Sequence, residues 1–353
     1  MNKTTRKLTF GAILLLSGYF LLEAGTCALM KMNILRGEMP TFTWSRIGIR
    51  HFRDIPEPWA TWHEPNSTYH HAWACFDHVY RFNSDGMRDR PRERQGAATR
   101  VVVLGDSFIE AWGVSEEQRL TNLLEKAKGR EFLNFGTSGS FGPLQYYLIY
   151  ENLAKAFSHD SVLVGILPMN DFDDDNYELW ARKGRRRPFW VGQPPELRYT
   201  EVIQFDSAYH RFRRFLKEYS YFFNTVEDLY QGWRYRRRSS QEKVVSRFYD
   251  FTEEEWGRML FSLQKLREAS RGKRLTLVLF PIRQDLKRYR PGETPPLTSR
   301  LEAWGREQDV EVIDLVPWLH DYQKDWEAYH LPCDNHYSAF GYRAAFELVQ
   351  KYY

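Results

Sequence analysis

The chain has 353 residues, of which 42% are hydrophobic, and a formal net charge of +4. This length suffices for one large hydrophobic core with an insertion, and so small a net charge gives no sign of a nucleic-acid-binding protein. The sequence contains no Walker loop, no CxxC pair and no HExxH motif, which excludes the corresponding phosphate-loop, dithiol and zinc-protease sites.

The N-terminus has the pattern of a membrane segment. Three basic residues lie within the first seven positions, an uncharged run covers residues 8–22, and after Glu23 the apolar character continues to residue 30. Residues 8–30 exceed the roughly 20 residues that span a bilayer. We predict an uncleaved anchor over residues 1–30, a single pass that leaves the rest of the chain on the periplasmic or extracytoplasmic side. A cleaved secretory signal is the alternative, although residues 24–28 match a cleavage site poorly.

The three cysteines leave two interpretations open. Cys27 lies in the predicted anchor, outside any lipobox. Cys75 and Cys333 can pair in an oxidising compartment. They can equally be free buried thiols.

The remaining chain divides at about residue 100. Residues 31–100 are aromatic-rich and contain prolines, so we predict an irregular leader packed on the core. Beyond it, short apolar runs alternate with helical patterns, which predicts parallel strands joined by right-handed crossovers. The fold class is therefore α/β, a three-layer α/β/α sandwich around a flavodoxin-like five-stranded parallel sheet of order 2-1-3-4-5. The predicted strands are Val101–Leu104, Phe132–Phe135, Val162–Leu167, Leu275–Phe280 and Val310–Ile313, and the predicted helices cover 117–128, 143–157, 253–271 and 338–352.

An insertion over residues 172–250 separates the third and fourth strands. Apolar residues recur at spacings of three and four from Phe212 to Tyr230, which predicts one strongly amphipathic helix. Its apolar stripe packs on the core in one interpretation, and forms a lid or lies on the membrane surface in the other. Residues 182–238 carry 14 Lys/Arg against 6 Asp/Glu, a local charge of +8. We predict that Arg182–Arg187 forms a solvated loop; contact of the basic 182–238 segment with anionic glycan or lipid headgroups is the alternative.

Four polar blocks occur at the ends of predicted elements. Gly105-Asp106-Ser107 follows the first strand and opens a helix, which places the serine hydroxyl at the carboxyl edge of the sheet, where open α/β folds bind ligands. The other blocks are Asn134–Gly139 after the second strand, Asn170-Asp171 after the third, and Asp334-Asn335-His336 before the last helix. A nucleophile, an acid–histidine pair and possible oxyanion donors at one sheet edge predict acyl-transfer chemistry.

These blocks resemble those of SGNH/GDSL hydrolases, in the same order and on the same elements. The resemblance implies that Ser107 is the nucleophile, His336 the base and Asp334 the orienting acid. It also implies that the oxyanion is held by the Ser107 N–H, the Gly139 N–H and the Asn170 side-chain amide. Two features depart from the usual pattern: Pro168 replaces a glycine, and the last block is Asp-x-His rather than Asp-x-x-His. The shorter spacing is shared with exported polysaccharide O-acetylesterases and O-acetyltransferases. The resemblance covers roughly residues 83–353, and we assign residues 101–353 to the hydrolase domain.

The predicted function is hydrolysis of O-acyl groups, O-acetyl above all, on an envelope or secreted polysaccharide or a lipid. The alternatives are an O-acyltransferase that uses the same residues and a catalytically silent scaffold in an export complex. No cofactor, metal or nucleic acid is expected. The glycines at 136, 139 and 142 depart from the dinucleotide-loop spacing. The acidic run over residues 171–175 lacks the glycine and glutamate of a calcium loop, so we predict a solvated loop there.

Overall fold

The computed structural model describes residues 2–32, 34–35, 37–40, 52–73, 75–96, 99–181, 186–191, 196–201, 207–239 and 245–353. The chain divides into two compact units. The first unit comprises Met1–Gly48, His70–His78 and Asp206–Gln241. The second unit comprises Ile49–Tyr69, Val79–Phe205 and Glu242–Tyr353, and it contains all four polar blocks.

The described residues form eleven strands and thirteen α-helices. The strands are β1 (Phe52–Asp54), β2 (Thr61–His63), β3 (Thr68–Trp73), β4 (Phe76–Arg81), β5 (Arg100–Gly105), β6 (Glu131–Gly136), β7 (Ser161–Ile166), β8 (Pro188–Val191), β9 (Glu196–Tyr199), β10 (Arg274–Leu279) and β11 (Val310–Asp314). The helices are α1 (Lys3–Lys31), α2 (Ser107–Glu110), α3 (Leu120–Lys128), α4 (Pro143–Asn152), α5 (Pro168–Asp174), α6 (Tyr177–Trp180), α7 (Ala208–Tyr219), α8 (Tyr221–Ser239), α9 (Glu253–Ala269), α10 (Arg283–Arg288), α11 (Pro296–Gln308), α12 (Leu315–Tyr322) and α13 (Ala339–Val349).

A five-stranded parallel sheet forms the centre of the second unit. Its order is β11-β10-β7-β5-β6, which is the predicted order 2-1-3-4-5 read from the other edge. Every residue of β5 and β7 is buried, as expected for strands covered by helices on both faces. The predicted fold class is confirmed, and each predicted strand lies within two residues of the observed bounds.

The helices of the second unit follow the sequence pattern with three differences. A capping box begins α9, because the Glu255 N–H donates to Thr252 Oγ1 at 3.2 Å and the Thr252 N–H donates to Glu255 Oε2 at 2.7 Å. Helix α4 ends at Asn152, and a 3-10 turn follows it. The predicted 117–128 helix begins with a 3-10 turn before α3. Helices α5, α6, α10, α11 and α12 were not predicted from the sequence.

The leader contains more regular structure than its sequence suggests. Strands β1 and β2 pair antiparallel, and β3 pairs with β4. Both hairpins consist of three- to six-residue strands, which are too short to show a clear alternation in sequence. Residues 41–51 of the leader lie outside the described part of the chain.

The insertion differs from the prediction in its main helix. The amphipathic stretch from Phe212 to Tyr230 forms two helices, α7 and α8, which meet at Ser220. Ser220 adopts extended backbone angles (φ −120°, ψ 116°), and its hydroxyl accepts from the Phe223 N–H at 3.0 Å. Serine favours a helix start for this reason, although the apolar spacing continues across it. In the second unit, β8 and β9 form an antiparallel hairpin.

Helix α1 occupies the predicted anchor. It is the one helix in the described residues that is long and apolar enough to cross a membrane, a property that a signal sequence shares. Of the cysteines, Cys27 is a free thiol, whereas Cys75 and Cys333 are disulfide-bonded.

Candidate active site

Ser107 begins a short helix that lies across the ends of three strands. Asp106 precedes it and accepts a hydrogen bond from the Phe108 N–H at 2.8 Å, which caps α2. The helix approaches this closely because glycines end the strands. A Cβ on Gly105 would lie 2.4 Å from Ile109 Cγ1, and one on Gly136 would lie 2.3 Å from the Glu110 nitrogen. Ser107 is thereby fixed at the carboxyl edge of the sheet.

His336 joins Ser107 to Asp334. Its Nε2 lies 2.7 Å from Ser107 Oγ, and its Nδ1 lies 2.9 Å from Asp334 Oδ2. Since a carboxylate only accepts, Nδ1 carries the proton, and Nε2 is left to accept from the serine hydroxyl. The Asn335 N–H donates to Asp334 Oδ1 and fixes the carboxylate in turn. The structure thus brings Ser107 together with the Asp334–His336 pair, which lies in a different block of the sequence.

The electrostatics of this pair favour a basic imidazole. Burial alone would lower the pKa of His336, but the charge and hydrogen bond of Asp334 outweigh it and raise the pKa above the ordinary value. Burial acts to raise the pKa of Asp334, and the charge of His336 lowers it instead. Asp334 therefore stays ionised and supports a proton on His336.

Two aromatic rings flank the imidazole. Trp112 stacks on His336 with ring centroids 5.5 Å apart and an interplanar angle of 28°, and the Phe108 ring centroid lies 5.3 Å away. Trp112 reaches this place because Ala111 ends α2 in the left-handed region (φ 68°). Both rings restrict rotation of His336 about its side-chain bonds. The sequence analysis missed Trp112, since its contact depends on that turn.

The loop after β6 carries Gly139 and is held by a buried glutamate. Gly139 has φ +110°, a conformation that suits glycine. Its neighbour Ser138 donates to Glu110 Oε2 through both its backbone N–H and its hydroxyl. The Glu110 side chain is fully buried, and its Oε2 lies 3.6 Å from His63 Nε2. The sequence analysis missed Glu110 also, although it lies three residues after Ser107 on the first turn of the helix.

Asn170 lies in the first turn of α5 and contacts Asp106, the residue before Ser107. Its Nδ2 donates to Asp106 Oδ2 and to Asp174 Oδ2, both at 3.1 Å. Its Oδ1 atom is buried and has no hydrogen-bond partner among the described residues. Both amide hydrogens of Asn170 thus face carboxyl groups in the structure.

The acidic run predicted as a solvated loop is a buried part of α5 and its end, so that prediction is wrong. Asp171, Asp174 and Asp175 are at most 6% exposed. Burial raises the pKa of Asp174 and of Asp175 to about 7 and that of Asp106 to about 6. The acids are buried because donors from β7's end and from the distant helix α4 satisfy them: the Leu167 N–H and the Tyr146 hydroxyl donate to Asp171, and the Leu144 N–H donates to Asp175.

Arg187, which was predicted to lie in a solvated loop, is buried instead. Arg187 is 4% exposed, donates to the Asp174 carbonyl oxygen at 3.1 Å and lies over the Trp180 ring at 3.9 Å. Residues 182–185 lie outside the described residues. Within the described ranges, no group of three or more His, Cys, Asp or Glu side chains is arranged to hold a metal ion.

No family model and no curated protein matches the chain. Several solved structures are similar to it. One is a member of the lipolytic protein G-D-S-L family from Veillonella parvula, at 12% identity over 72% of this chain and 97% of that chain, with a TM-score of 0.39. Another is the lipase/acylhydrolase from Enterococcus faecalis, at 10% identity over 72% and 94%, with a TM-score of 0.39. A third is a carbohydrate esterase family 2 enzyme from Corynascus thermopiles, at 12% identity over 74% and 67%, with a TM-score of 0.39.

Proposed function

We propose that this chain is a serine ester hydrolase that removes O-acyl groups, O-acetyl above all, from an envelope or secreted polysaccharide or a lipid. The observation that carries the proposal is the hydrogen-bonded series Ser107–His336–Asp334. It joins a nucleophile, a base and an orienting acid through hydrogen bonds in the order that acyl transfer requires.

In the first half-reaction, Ser107 Oγ attacks the ester carbonyl carbon while its proton passes to His336 Nε2. Asp334 stabilises the imidazolium that forms. The tetrahedral intermediate collapses as His336 returns the proton to the departing alcohol, and the acyl group remains on Ser107. In the second half-reaction, water gives a proton to His336 and attacks the acyl-serine, which releases the carboxylic acid and restores the Ser107 hydroxyl.

Stabilisation of the oxyanion is assigned to the Ser107 N–H, the Gly139 N–H and the Asn170 amide. For Asn170 the assignment has a condition. Both its hydrogens contact carboxyl oxygens, so one contact must be exchanged for the substrate oxygen when the ester binds. Protonation of Asp106 or Asp174, whose pKa values are raised by burial to about 6 and about 7, weakens these acceptors and favours the exchange.

The test is labelling with a fluorophosphonate probe, which reports an activated serine whatever the substrate. Wild type should label, and Ser107→Ala should lose both labelling and esterase activity, by about 10⁴–10⁶ in turnover, with thermal stability nearly unchanged. Ser299→Ala, at an exposed serine on α11, is the matched control and should label fully. Undiminished labelling of Ser107→Ala would refute the assignment, and an unlabelled wild type would favour the silent scaffold.

The O-acyltransferase shares every step up to the acyl-serine. Partitioning of a chromogenic acetyl ester, with and without candidate polysaccharides, separates the two reactions. Free acetate should form at the same rate in both cases. Acetate on the glycan, with a matching fall in free acetate, would show that transfer is the main reaction.

We further propose that α1 anchors the protein by a single pass, with the second unit on the periplasmic or extracytoplasmic side. Basic residues before α1 favour that orientation, and disulfide-bonded cysteines are typical of oxidising compartments. A reporter fused after Tyr353 should be active only if it works outside the cytoplasm, and the protein should resist carbonate extraction. Release by carbonate would contradict the anchor.

A further inference from the structure

The one charged residue within the apolar part of α1 caps another helix of the first unit. Glu23 accepts from the Tyr221 N–H at 2.6 Å, from the Phe222 N–H at 3.1 Å and from the Ser220 hydroxyl at 2.8 Å. The Tyr19 hydroxyl also donates to Ser220 Oγ, at 2.8 Å. The point where α7 meets α8, hereafter the Ser220 corner, is therefore bonded directly to α1.

These contacts satisfy both partners. The first N–H groups of a helix lack acceptors within it, and Glu23 supplies them for α8. A carboxylate in an apolar segment is costly unless it is hydrogen-bonded, and the Ser220 corner supplies its donors. Cleavage at residues 24–28 would remove Glu23 and expose the start of α8. The arrangement thus favours retention of α1 in the mature protein.

The position of Glu23 along α1 indicates how deep Glu23 lies in the bilayer. It follows Lys7 by 16 residues, which is about 24 Å of helix at 1.5 Å per residue, whereas the hydrocarbon core is about 30 Å thick. If Lys7 marks the inner edge of that core, Glu23 lies inside the outer edge. The Ser220 corner lies at the same depth, because its bonds to Glu23 are direct.

From this corner, α8 runs along α1 toward the outer edge. The Thr225 hydroxyl lies 3.7 Å from Met30 Sδ, and the Glu38 N–H donates to Asp228 Oδ2 at 2.6 Å. Successive residues of α8 therefore contact successively later residues of α1 and of the segment after it, so α8 runs in the same direction as α1. The first turns of α8 lie deepest, and its later turns lie nearer the surface.

The exposed surface of α7 and α8 carries many large apolar side chains, whereas three charged residues of these helices pair with each other. Glu227 on α8 forms ion pairs with Arg213 and Lys217 on α7. The large side chains left exposed, at 44% to 68%, are Tyr209, Phe212, Phe215, Val226, Leu229, Tyr230 and Trp233. A surface in water seldom exposes so many large apolar side chains together, whereas a surface in contact with lipid does.

The later turns of α8 have the composition of a membrane interface. Arg234 lies 5.8 Å from the Tyr230 ring centroid, and Arg237 lies 5.3 Å from that of Trp233. Tyrosine and tryptophan concentrate at headgroup level, and arginine extends from there to lipid phosphates.

We propose that α7 and α8 form a hairpin embedded in the outer leaflet of the membrane that α1 crosses. The bilayer covers the exposed apolar side chains, and Glu23 holds the Ser220 corner below the headgroups. The inference rests on the anchor part of the proposed function and not on the esterase. Its tests use no enzymatic readout, so its failure is distinguishable from failure of the esterase assignment.

The first test places a fluorophore on the two faces of α8. Full-length protein carrying Cys27→Ser is reconstituted in vesicles of phosphatidylethanolamine and phosphatidylglycerol, with Leu229→Cys or Gln231→Cys labelled by an environment-sensitive dye. The two exposed positions lie about 200° apart around the helix. Nitroxide-bearing lipid should quench the dye at 229 severalfold more than the dye at 231, and iodide should show the reverse preference.

Two outcomes of this test overturn the proposal. Equal quenching of both dyes by iodide would place the hairpin in water. Protection of the dye at 229 from both quenchers would show that protein covers the apolar face, as in a second copy of the chain.

The second test concerns α1 and its cap. Intact mass of the membrane-purified protein should include residues 1–30, and a mass that begins after residue 26 or 28 would overturn the proposal. Glu23→Ala should speed tryptic cleavage of α8 in vesicles about tenfold, the effect of losing a helix cap. Glu23→Gln retains an acceptor oxygen and should recover most of the protection. Cleavage of Glu23→Ala at the wild-type rate would contradict the capping role.

Discussion

Replacement of Asp334 by asparagine tests the electrostatic part of the site with least change in shape. In the proposed mechanism His336 becomes an imidazolium, and its Nδ1 lies 2.9 Å from Asp334 Oδ2. Opposite charges about 4 Å apart interact by about 4 kcal/mol at an effective dielectric constant of 20. At about 1.4 kcal/mol per factor of ten, the loss amounts to about 10³ in turnover. Both side chains are about one-fifth exposed, so solvent screens their interaction. The loss of about 10³ in turnover is therefore the upper end of what we expect.

The same substitution should move the pH profile. In the proposed mechanism neutral His336 is the active form, so kcat/KM should rise through the pKa of His336, which Asp334 raises above the ordinary value of about 6.5. Without the carboxylate that pKa falls, and the acidic limb of the profile should shift to lower pH. The assay is hydrolysis of a chromogenic acetyl ester from pH 5 to pH 9.

Asp321→Asn provides a matched control. Asp321 Oδ1 lies 2.7 Å from His320 Nδ1, so the same type of pair is removed at an exposed position. This control should retain wild-type turnover and an unmoved profile. If Asp334→Asn retained turnover within about twofold and left the acidic limb in place, Asp334 would not orient or charge-stabilise His336, and the reasoning would be refuted.

Three further substitutions address the surroundings of the site. Asn170→Ala should lower kcat by about 10²–10³ with a smaller effect on KM, and a change confined to KM would show that Asn170 binds the ground state instead. Glu110→Ala should lower kcat by a similar factor, because it frees the loop that carries Gly139. Glu110→Gln should restore part of that loss. The control Glu117→Ala, at an exposed position, should leave kcat unchanged. Asp175, whose pKa burial raises to about 7, contributes stability at low pH that is lost as the pH rises from about 4 through 7. Asp175→Asn has no such charge, so its melting temperature should rise relative to that of wild type between pH 5 and pH 8. A difference in melting temperature that stays constant over this range would contradict burial of the charge.

The sequence alone determined the sheet and the order of the chemistry along it. Short apolar runs of strand length specify parallel strands, and the carboxyl ends of such strands share one edge. The sequence therefore suffices to place at that edge the blocks that follow those runs, such as the one ending in Ser107 and the one containing Asn170. The pairing of Ser107 with His336 depended on the family resemblance as well, since the two are separated by most of the domain.

Only the tertiary structure decided what surrounds these residues. Glu110 holds Ser138 because glycines at two strand ends allow α2 to lie directly on the sheet. The spacing of apolar residues in the sequence does not indicate this close approach. The acids after β7 are buried because distant donors satisfy them, whereas composition alone indicated a solvated loop. The apolar period through α7 and α8 likewise shows a face but not its break at Ser220, which is fixed by donation of its hydroxyl and the next two N–H groups to Glu23. Periodicity reports which face of an element is apolar, and the partner of that face depends on residues far away in the chain.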